Sequence, residues 1–384
     1  MDRKHYEPEH IAFGEAFRAF AEKSVVPHYL EYERAGITPR EVFLESGKSG
    51  FLGHAIPDEY GGGGVADFRF NQAMNEQIAA AGIGGAGLGL SLHNDICLPY
   101  FLAYCSDEQR ARWLPGIASG ELITAVAMTE PGAGSDLAGI RTTAARDGDQ
   151  YLVNGAKTFI TNGINADLVI TAVKTGSDPH NRRGGLSLLI LERGTAGFER
   201  GRNLEKLGLH SQDTAELSFV DVRVPVDNLL GEEGEGFHYL TAKLPQERMS
   251  IAISALGEAT AAFHETVRYV HDRKAFGTSV ASFQNTKFVL ADIATELDVA
   301  QAYVDRCVDR LNAGELAPPD ASKAKYFCTE LQGRVIDRCL QLHGGYGYMT
   351  EYPISRRYAD ARITRIYGGT SEIMRSVISK SLGL

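Results

Sequence analysis

The amino-acid sequence predicts an α+β protein in which helical domains flank a domain built from β-strands. Residues before about position 120 and after about position 236 repeat their apolar side chains with the period of amphipathic helices. The residues between them form short β-prone runs separated by turn residues. Consecutive strands of this kind favour an antiparallel sheet, closed as a barrel or stacked as a sandwich. We therefore predict an N-terminal α-helical domain (1–122), a middle β domain (123–235) and a C-terminal domain like a four-helix bundle (236–384).

The N-terminal domain is predicted from its aromatic and capping residues. Phe13, Phe17 and Phe20 are spaced by four and three, which places them on one face of a helix. Ser106 precedes two acidic residues, the pattern of a capped helix start. The stretch 82–87 matches G-x-G-x-x-G, but a helical pattern precedes it where a dinucleotide-binding turn needs a strand. We interpret these glycines as small residues at a helix crossing.

The middle domain is predicted from β-prone runs and the turns between them. Asn154-Gly155 stands between two such runs, and this dipeptide is typical of a β-hairpin. Further strands are predicted at 167–175, 186–193 and 215–225, with a polar loop at 177–185.

The C-terminal domain is predicted from three long apolar stripes at steps of three and four. The stripes are Met249, Ile253, Leu256, Thr260, Phe263, Val267 and Val270; Leu290, Ile293, Leu297, Ala300, Val304, Cys307 and Leu311; and Phe327, Leu331, Val335, Cys339 and Leu342. Three compatible stripes indicate a helix bundle. Near the C-terminus, Thr370 or Ser371 is predicted to cap a helix that begins at Glu372.

Composition narrows the class of protein. The net charge of -10 and the pI of about 5.6 disfavour binding to nucleic acid or to anionic membranes. No apolar run approaches the ~20 residues of a membrane span, and the N-terminus lacks the features of a signal or transit peptide. The five cysteines contain no C-x-x-C, and the eleven histidines show no metal-ligand spacing. We expect a cytoplasmic protein without a metal and without membrane insertion.

Four glycine- or arginine-rich motifs carry the chemistry. They are AMTEPGAGSDLAG (127–139), RKAFG (273–277) with Gln284 beyond it, QLHGGYGYMTEYPISRRYAD (341–360) and RIYGGTSE (365–372). The first exposes backbone N–H groups and suits a heteroaromatic or phosphate-bearing ligand, or it is only a capped turn. Arg273 binds a ligand or merely pairs with Asp272. Gly368 and Gly369 indicate a positive φ or the close approach of another group.

In this order and spacing, the four motifs resemble those of the acyl-CoA dehydrogenases, and the resemblance extends over the whole chain. It implies a homotetramer in which FAD lies between the β domain and the C-terminal bundle. Arg273 and Phe276 are similar to residues that reach the FAD of a neighbouring subunit. The cofactor contacts that the resemblance implies are Met128, Thr129, Gly134, Ser135, Phe159, Ile160, Thr161, Arg273, Phe276, Gln284, Gln341, His343, Gly344, Gly345, Thr370 and Glu372.

The resemblance also implies a reaction. A carboxylate removes the α-proton of a saturated acyl-CoA, the β-hydrogen passes as hydride to flavin N5, and the electrons go on to an electron-transfer flavoprotein. The product is a trans-2-enoyl-CoA, as in the β-oxidation of fatty acids. The Gly368 N–H is expected to bind the thioester carbonyl. Ser135, Arg248 and Tyr367 are expected to contact the substrate.

The position of the catalytic base identifies a subgroup. Many family members carry a glutamate directly after Ile-Tyr, where this chain has Gly368. The isovaleryl and long-chain members carry it on a C-terminal helix, and LPQERMSIA (244–252) resembles the long-chain version with Glu247 as the base. From the residues alone, Pro245 marks a helix start or kinks a longer helix. In either case Glu247 is expected close to a helix N-terminus, where it would only complement the helix dipole.

Two other functions fit the same motifs. One is a flavin oxidase or monooxygenase on the same fold, and the other is a catalytically silent relative that binds flavin or acyl-CoA. The gain of Glu247 where Gly368 lacks a carboxylate favours the dehydrogenase. The motifs leave open the oxygen reactivity, the acyl chain length and branching, and the choice between fatty acid, amino acid and sterol breakdown.

Overall fold

The computed structural model describes residues 4–176 and 184–384. Its order of elements is helical, then β, then helical, as the sequence predicts. The predicted polar loop at 177–185 lies outside the described residues except for its last two.

The N-terminal part is a set of helices around a core that contains Phe17 and Phe43. They are α1 (Pro8–Ser24), α2 (Tyr29–Ala35), α3 (Arg40–Lys48), α4 (Phe68–Ala81), α5 (Gly84–Ser91), a π-helix (Leu92–Cys97), α6 (Leu98–Tyr104) and α7 (Asp107–Ser119). The predicted cap is confirmed, since the Ser106 hydroxyl accepts the N–H of Gln109 at 3.2 Å. Gly82 ends α4 with a φ of 70°, and a side chain on Gly87 would overlap Ile78. The glycine-rich stretch therefore forms the turn after α4 and the first half of α5, and Gly87 packs closely on α4, as expected for small residues at a helix crossing.

The middle part is a mixed sheet rather than a purely antiparallel one. Its strands are β1 (Thr124–Ala127), β2 (Thr143–Asp147), β3 (Gln150–Thr161), β4 (Leu168–Lys174), β5 (Leu186–Glu192), β6 (Phe198–Asn203), β7 (Thr214–Pro225) and β8 (Leu229–Leu230). The order β6-β7-β3-β2-β4-β5-β8 is an open path among the described strands, so no barrel closes there. Strands β1 and β2 each pair in parallel with β4, and β1 does so across more than forty residues of chain. Such non-local pairing leaves no turn signal in the sequence.

The predicted hairpin at Asn154-Gly155 is wrong, because both residues lie inside the single strand β3. They form an irregularity in its pairing with β7. The Asn154 side chain exchanges two hydrogen bonds with Asp221, at 2.9 and 3.0 Å. A side chain on Gly155 would collide with Thr142. The dipeptide thus serves a β-bulge, where glycine admits the neighbouring strand.

Strands β4 and β5 lie at the centre of the sheet and are buried on both faces. Ile170 and Leu188 belong to the core shared with α6 and α7, whereas Val169 and Leu189 belong to a second core on the other face. This explains why both strands appear in the sequence as uninterrupted apolar runs. The sheet therefore holds the end of β1 rigidly against the N-terminal helices.

The C-terminal part is a bundle of long helices. Its elements are α8 (Gly236–Asp272), the short strands β9 (Lys274–Ala275) and β10 (Thr278–Ser279), α9 (Gln284–Asn312), α10 (Pro318–His343), α11 (Pro353–Ala361) and α12 (Ser371–Ser381). The three predicted stripes meet in one core, to which Leu256, Leu297 and Leu331 belong. The predicted place of Phe327 in the third stripe is wrong, since its side chain is 41% exposed. All five cysteines are free and buried. Thr370 caps α12 by accepting the N–H of Ile373 at 3.3 Å, which confirms one of the two predicted caps.

Pro245 lies inside α8 and does not begin it. Glu247 is therefore eleven residues beyond Gly236, the first residue of the helix. The field of a helix terminus acts within the first turn. The expectation that Glu247 lies close to a helix N-terminus is wrong, and so is the interpretation that it complements the helix dipole.

Candidate active site

Glu247 is a buried carboxyl group at the centre of the site, with 4% of its surface exposed. The Tyr100 hydroxyl of α6 donates to Glu247 Oε1 at 2.7 Å. Burial raises the pKa of Glu247 to about 7, while the Tyr100 hydrogen bond and the charge of Arg248 act in the opposite direction. A carboxyl group that titrates near neutrality is suited to accept a proton from a weak acid.

The end of β1 reaches the same region. Cys97 of the π-helix interacts with both Thr124 of β1 and Glu247 of α8. Met128 packs against the apolar cluster that includes Tyr100. The loop that follows β1 therefore begins on the side of the protein where the Glu247 carboxyl group lies.

The Gly368-Gly369 loop packs directly on α8. Both glycines have a positive φ, of 62° and 95°. A side chain on Gly368 would overlap Cδ1 of Ile251, which lies one helical turn after Glu247. The structure thus places Gly368 against α8 one turn after Glu247, the other residue that the sequence predicts to take part in the reaction. It also explains the first glycine, because this position has neither the space nor the conformation for a side chain.

Lys325 of α10 supports this loop and was missed from the sequence. Its side chain is fully buried, and its ammonium group donates to the Gly369 carbonyl at 2.5 Å. Burial, and next the nearby charge of Arg248, lower the pKa of Lys325 to about 8. A lysine inside an apolar helical stripe is the signal that could have identified it, since lysine is rarely buried without a partner.

We expect Lys325→Met to lower the free energy of unfolding by about 1 kcal/mol or more, because the buried Gly369 carbonyl loses its donor. Urea denaturation measures this change, and hydrogen exchange at Gly368 and Gly369 reports the loosened loop. The control is Lys323→Met, which removes an exposed amine paired with Asp320 and should change stability by less than about 0.5 kcal/mol. Equal stability and equal exchange in the two variants would show that Lys325 does not hold the loop.

A buried ion pair anchors the loop after β1. The Lys157 ammonium group donates to Glu130 Oε1 at 2.8 Å and to the Met128 carbonyl at 3.1 Å. Glu130 also accepts the N–H groups of Arg141 and Thr142, at 2.7 and 2.9 Å. These contacts fix both ends of the loop, which makes it a rigid support for a ligand.

The outer face of this loop is open. Side chains placed on Gly132 or Gly134 would contact nothing within 4 Å, and Gly134 and Ser135 are exposed. The predicted loop residues therefore present their backbone outward, as a ligand-binding loop requires.

An exposed aromatic residue lies beside the loop. The Thr158 N–H donates to the Thr129 carbonyl at 2.9 Å, which joins β3 to the loop. The next residue, Phe159, has a φ of 59° and is 68% exposed. Ile160 is buried in the sheet core, so only its backbone is available to a ligand, while Thr161 is partly buried.

A narrow cavity continues from Tyr367 along α8. Its volume is about 50 Å³, and its lining includes Ile78 of α4, Leu88 of α5, and Ser254 and Glu258 of α8. With Glu247 and Ile251, the last two are spaced by four, three and four, so they share one face of α8. The cavity therefore extends from the Gly368 loop away from Glu247, in the direction that an elongated ligand would take.

A second group of predicted residues lies far from Glu247. An open groove at the end of α10 is lined by Arg273 and Tyr346 together with Gln341, His343, Gly344 and Gly345. The Arg273 guanidinium lies 5.2 Å from the centre of the Tyr346 ring. Twenty-six residues of α8 separate Arg273 from Glu247, which corresponds to roughly 39 Å.

Phe276 and Gln284 lie near this groove. Phe276 is 98% exposed with a φ of 51°, and Gln284 is exposed at the start of α9. The His343 ring stacks on Tyr269 at 4.1 Å and is buried, so its backbone rather than its ring is available.

The structure also shows the surroundings of three other predicted residues, Thr370, Glu372 and Arg248. The Thr370 hydroxyl is engaged in its helix cap, and Glu372 is exposed in the first turn of α12. Arg248 is buried and donates to the Ser322 hydroxyl at 3.1 Å. It points toward α10 rather than the surface, which leaves only an inner part of a substrate within its reach.

The residues fit an aromatic cofactor with a phosphate chain. Phe159 and Phe276 are large aromatic side chains exposed at positive φ, a combination that is strained and that a bound ring system would cover. Arg273 supplies a permanent positive charge at the open groove. Within residues 4–176 and 184–384, no cluster of three or more metal-ligating side chains is found. No helix in the same ranges has the length and apolar character to cross a membrane.

Comparison with known proteins gives matches along the chain. The models for the N-terminal, middle and C-terminal domains of acyl-CoA dehydrogenase match residues 7–121, 125–222 and 234–383. The mitochondrial long-chain specific acyl-CoA dehydrogenase of Sus scrofa is 46% identical over 99% of this chain and 88% of its own length.

Two solved structures are also similar. The crystal structure of acyl-CoA dehydrogenase from Geobacillus kaustophilus shares 50% identity and a TM-score of 0.97, over 99% of this chain and all of its own. A glutaryl-CoA dehydrogenase from Mycobacterium smegmatis in complex with FADH2 shares 27% identity and a TM-score of 0.92, over 99% of this chain and 95% of its own.

Proposed function

Because the chain belongs to the acyl-CoA dehydrogenase family, whose members are FAD-dependent oxidoreductases, we propose that it converts a saturated acyl-CoA to trans-2-enoyl-CoA with Glu247 as the base. The observation that carries this proposal is the position of Glu247. It is the buried carboxyl group one helical turn from the residue that contacts Gly368, and its pKa lies near 7. A chain without a carboxylate at 368 needs its base at such a place.

We assign a separate role to each group of the protein around the thioester. Tyr100 holds Glu247 Oε1, which leaves Oε2 to remove the α-proton. The Gly368 N–H donates to the thioester carbonyl, where negative charge develops as the proton leaves. When bound, FAD accepts the β-hydrogen with its electron pair. The substrate thus loses one proton to Glu247 and one hydride, and a double bond forms between its α- and β-carbons.

The cofactor contacts come from two subunits. Met128, Thr129 and Phe159 would hold FAD in the chain that supplies Glu247. Arg273 and the glycines of the open groove lie too far along α8 to touch the same FAD, at roughly 39 Å. They would instead complete the site of a neighbouring subunit, which makes oligomerisation part of cofactor binding. The family resemblance is the reason for proposing a homotetramer and an electron-transfer flavoprotein as acceptor, whereas the cytoplasmic location stays a prediction from the sequence.

The substrate we propose is a long-chain fatty acyl-CoA, as in β-oxidation. The small cavity beside Tyr367 borders one turn of α8, at Ser254 and Glu258, and its wall includes Ile78 and Leu88. The Sus scrofa relative, at 46% identity, is named for long chains.

The test is to titrate the oxidised protein, without oxygen, with saturated acyl-CoAs of increasing length and with branched acyl-CoAs, while the flavin absorbance is recorded. We expect straight long chains to bleach the flavin fastest. Bleaching by short or branched chains alone would contradict the chain-length proposal but not the dehydrogenase. No bleaching by any of them would favour a silent binding protein, and peroxide formation in air at the rate of bleaching would indicate an oxidase.

A further inference from the structure

A set of hydrogen bonds joins the base-bearing turn of α8 to the π-helix and α6. Tyr100 donates to Glu247 at 2.7 Å. On the two sides of Glu247, the Gln246 amide donates to the Asp95 carbonyl at 2.9 Å and the Ser250 hydroxyl donates to Asp95 Oδ2 at 2.6 Å. The turn that carries the base is therefore held at three adjacent points by one short segment of the N-terminal domain.

Asp95 is the centre of this contact. It is 2% exposed, and its carboxylate also accepts the side-chain amides of Asn71 at 2.6 Å and Asn75 at 2.8 Å. Both asparagines belong to α4. The wide turn of the π-helix thus presents a fully paired carboxylate to α4 and α8 together, and such turns are frequent at functional sites. This network fixes the rotation of α8 around Glu247, because Gln246 and Ser250 flank it.

We propose that Tyr100 is the positioning residue of the base, holding Glu247 Oε1 so that Oε2 faces the substrate, and that the Asp95 network sets the distance between Tyr100 and α8. The inference rests on the proposed role of Glu247. It assigns a function to a tyrosine that lies 147 residues from Glu247 in the sequence.

The effect of losing the Tyr100 hydroxyl on the pKa of Glu247 depends on the other groups that face this carboxyl group. They are Tyr100 from α6, Cys97 from the π-helix and Arg248 from α8. Burial raises the pKa of both Tyr100 and Cys97, so both stay protonated in the working range of pH. Tyr100 therefore donates to the carboxylate and favours it over the acid, in opposition to burial. Its removal raises the pKa of Glu247, and the base becomes active only at higher pH.

The test is Tyr100→Phe in the FAD-loaded enzyme, with a readout that needs only the base. The probe is a 3-thia-acyl-CoA deuterated at the α-carbon, in which sulfur replaces the β-carbon and no β-hydrogen can leave. Mass spectrometry measures the loss of deuterium to solvent as a function of pH. We expect the pH of half-maximal exchange to rise by about one unit, because a hydrogen bond to a charged group is lost. Exchange at high pH should also fall, because Oε2 is no longer held toward the substrate, while the affinity for the analogue should stay within about threefold of wild type.

The matched control is Tyr104→Phe, one helical turn further on, whose ring stacks on Tyr239 at 4.0 Å. Its exchange profile should match that of wild type. A Tyr100→Phe profile that also matches wild type, or an equal loss of exchange at every pH, would overturn the proposal.

Two further variants keep the test decisive. If Tyr100→Phe does not retain FAD, Ser250→Ala removes one donor to Asp95 and should slow exchange about threefold or more without weakening analogue binding. Unchanged exchange in Ser250→Ala would contradict the Asp95 part of the inference. Glu247→Gln separates this inference from the proposed function. If it still exchanges deuterium, Glu247 is not the base, whereas an inert Glu247→Gln beside an unaltered Tyr100→Phe refutes only the role of Tyr100.

Discussion

Glu247→Gln is expected to slow flavin reduction by a saturated acyl-CoA by a factor of about 10³ or more, while FAD and acyl-CoA stay bound. The glutamine amide has almost the same shape as the carboxyl group and still accepts the hydrogen bond from Tyr100. It has no basic oxygen, and general base catalysis contributes typically 10²–10⁴-fold. Anaerobic stopped-flow absorbance gives the rate, and the absorbance of the unreduced complex gives the affinity.

The control is Glu265→Gln, on the same helix and paired with Arg357 at 3.4 Å. Its carboxylate does not line the cavity beside Tyr367. This variant should reduce its flavin within a few-fold of the wild-type rate. Reduction of Glu247→Gln at a comparable rate would show that another carboxylate removes the α-proton.

Although Glu247→Gln is expected to slow flavin reduction, it should increase the stability of the folded protein. The pKa of Glu247 rises on folding, from 4.5 to about 7, so the folded protein holds this proton more tightly than the unfolded chain. Below pH 4.5 the carboxyl group is protonated in both states and does not reduce the free energy of unfolding. As the pH rises through about 7, the buried group must ionise, and the free energy of unfolding falls. We expect the melting temperature of Glu247→Gln to exceed that of wild type by an amount that grows between pH 5 and pH 8. A constant difference across this range would mean that Glu247 is not desolvated in the free protein.

The sequence predicted the parts of this protein that depend on local patterns. Apolar periods identify the three long helices of the C-terminal bundle, and the hydroxyl groups of Ser106 and Thr370 mark helix starts because capping acts over three residues. Glu247 and Gly368 are proposed for the reaction because both lie in short motifs, and the structure places Ile251, one turn after Glu247, against Gly368.

The parts that escaped prediction depend on contacts between distant segments. Asn154-Gly155 has the local signal of a hairpin, but the bonds to Asp221 on β7 favour a bulge. Pro245 allowed a helix start or a proline inside a longer helix, and only the structure shows that α8 begins far enough before it to leave Glu247 away from the helix N-terminus. Tyr100 and Lys325 lie in apolar helical segments, and only the fold shows that they bind the Glu247 carboxyl group and the Gly369 carbonyl. No period or spacing encodes such pairs.

Gly368→Ala is expected to be the most damaging substitution that adds a single carbon atom. The φ of 62° at this residue costs alanine about 1 kcal/mol or more. The added methyl group would also overlap Cδ1 of Ile251. The loop must move to relieve this overlap, and its N–H then leaves the position needed for the thioester carbonyl. We expect a loss of about 1–3 kcal/mol in the free energy of unfolding, and a fall of about 10²-fold or more in flavin reduction.

Ile251→Val separates the two causes, because it deletes the one carbon atom that the new methyl group would meet. Alone it should cost about 0.5–1.5 kcal/mol and leave flavin reduction nearly unchanged. In Gly368→Ala/Ile251→Val the overlap is removed and the unfavourable φ remains, so the double variant should recover most of the reduction rate. A favourable coupling energy in this double-mutant cycle, from urea unfolding and from reduction rates, is the expected result. If the losses of the two single variants simply add in the double variant, only the backbone conformation requires glycine at position 368. Ile251 of α8 would then not limit the space at this position.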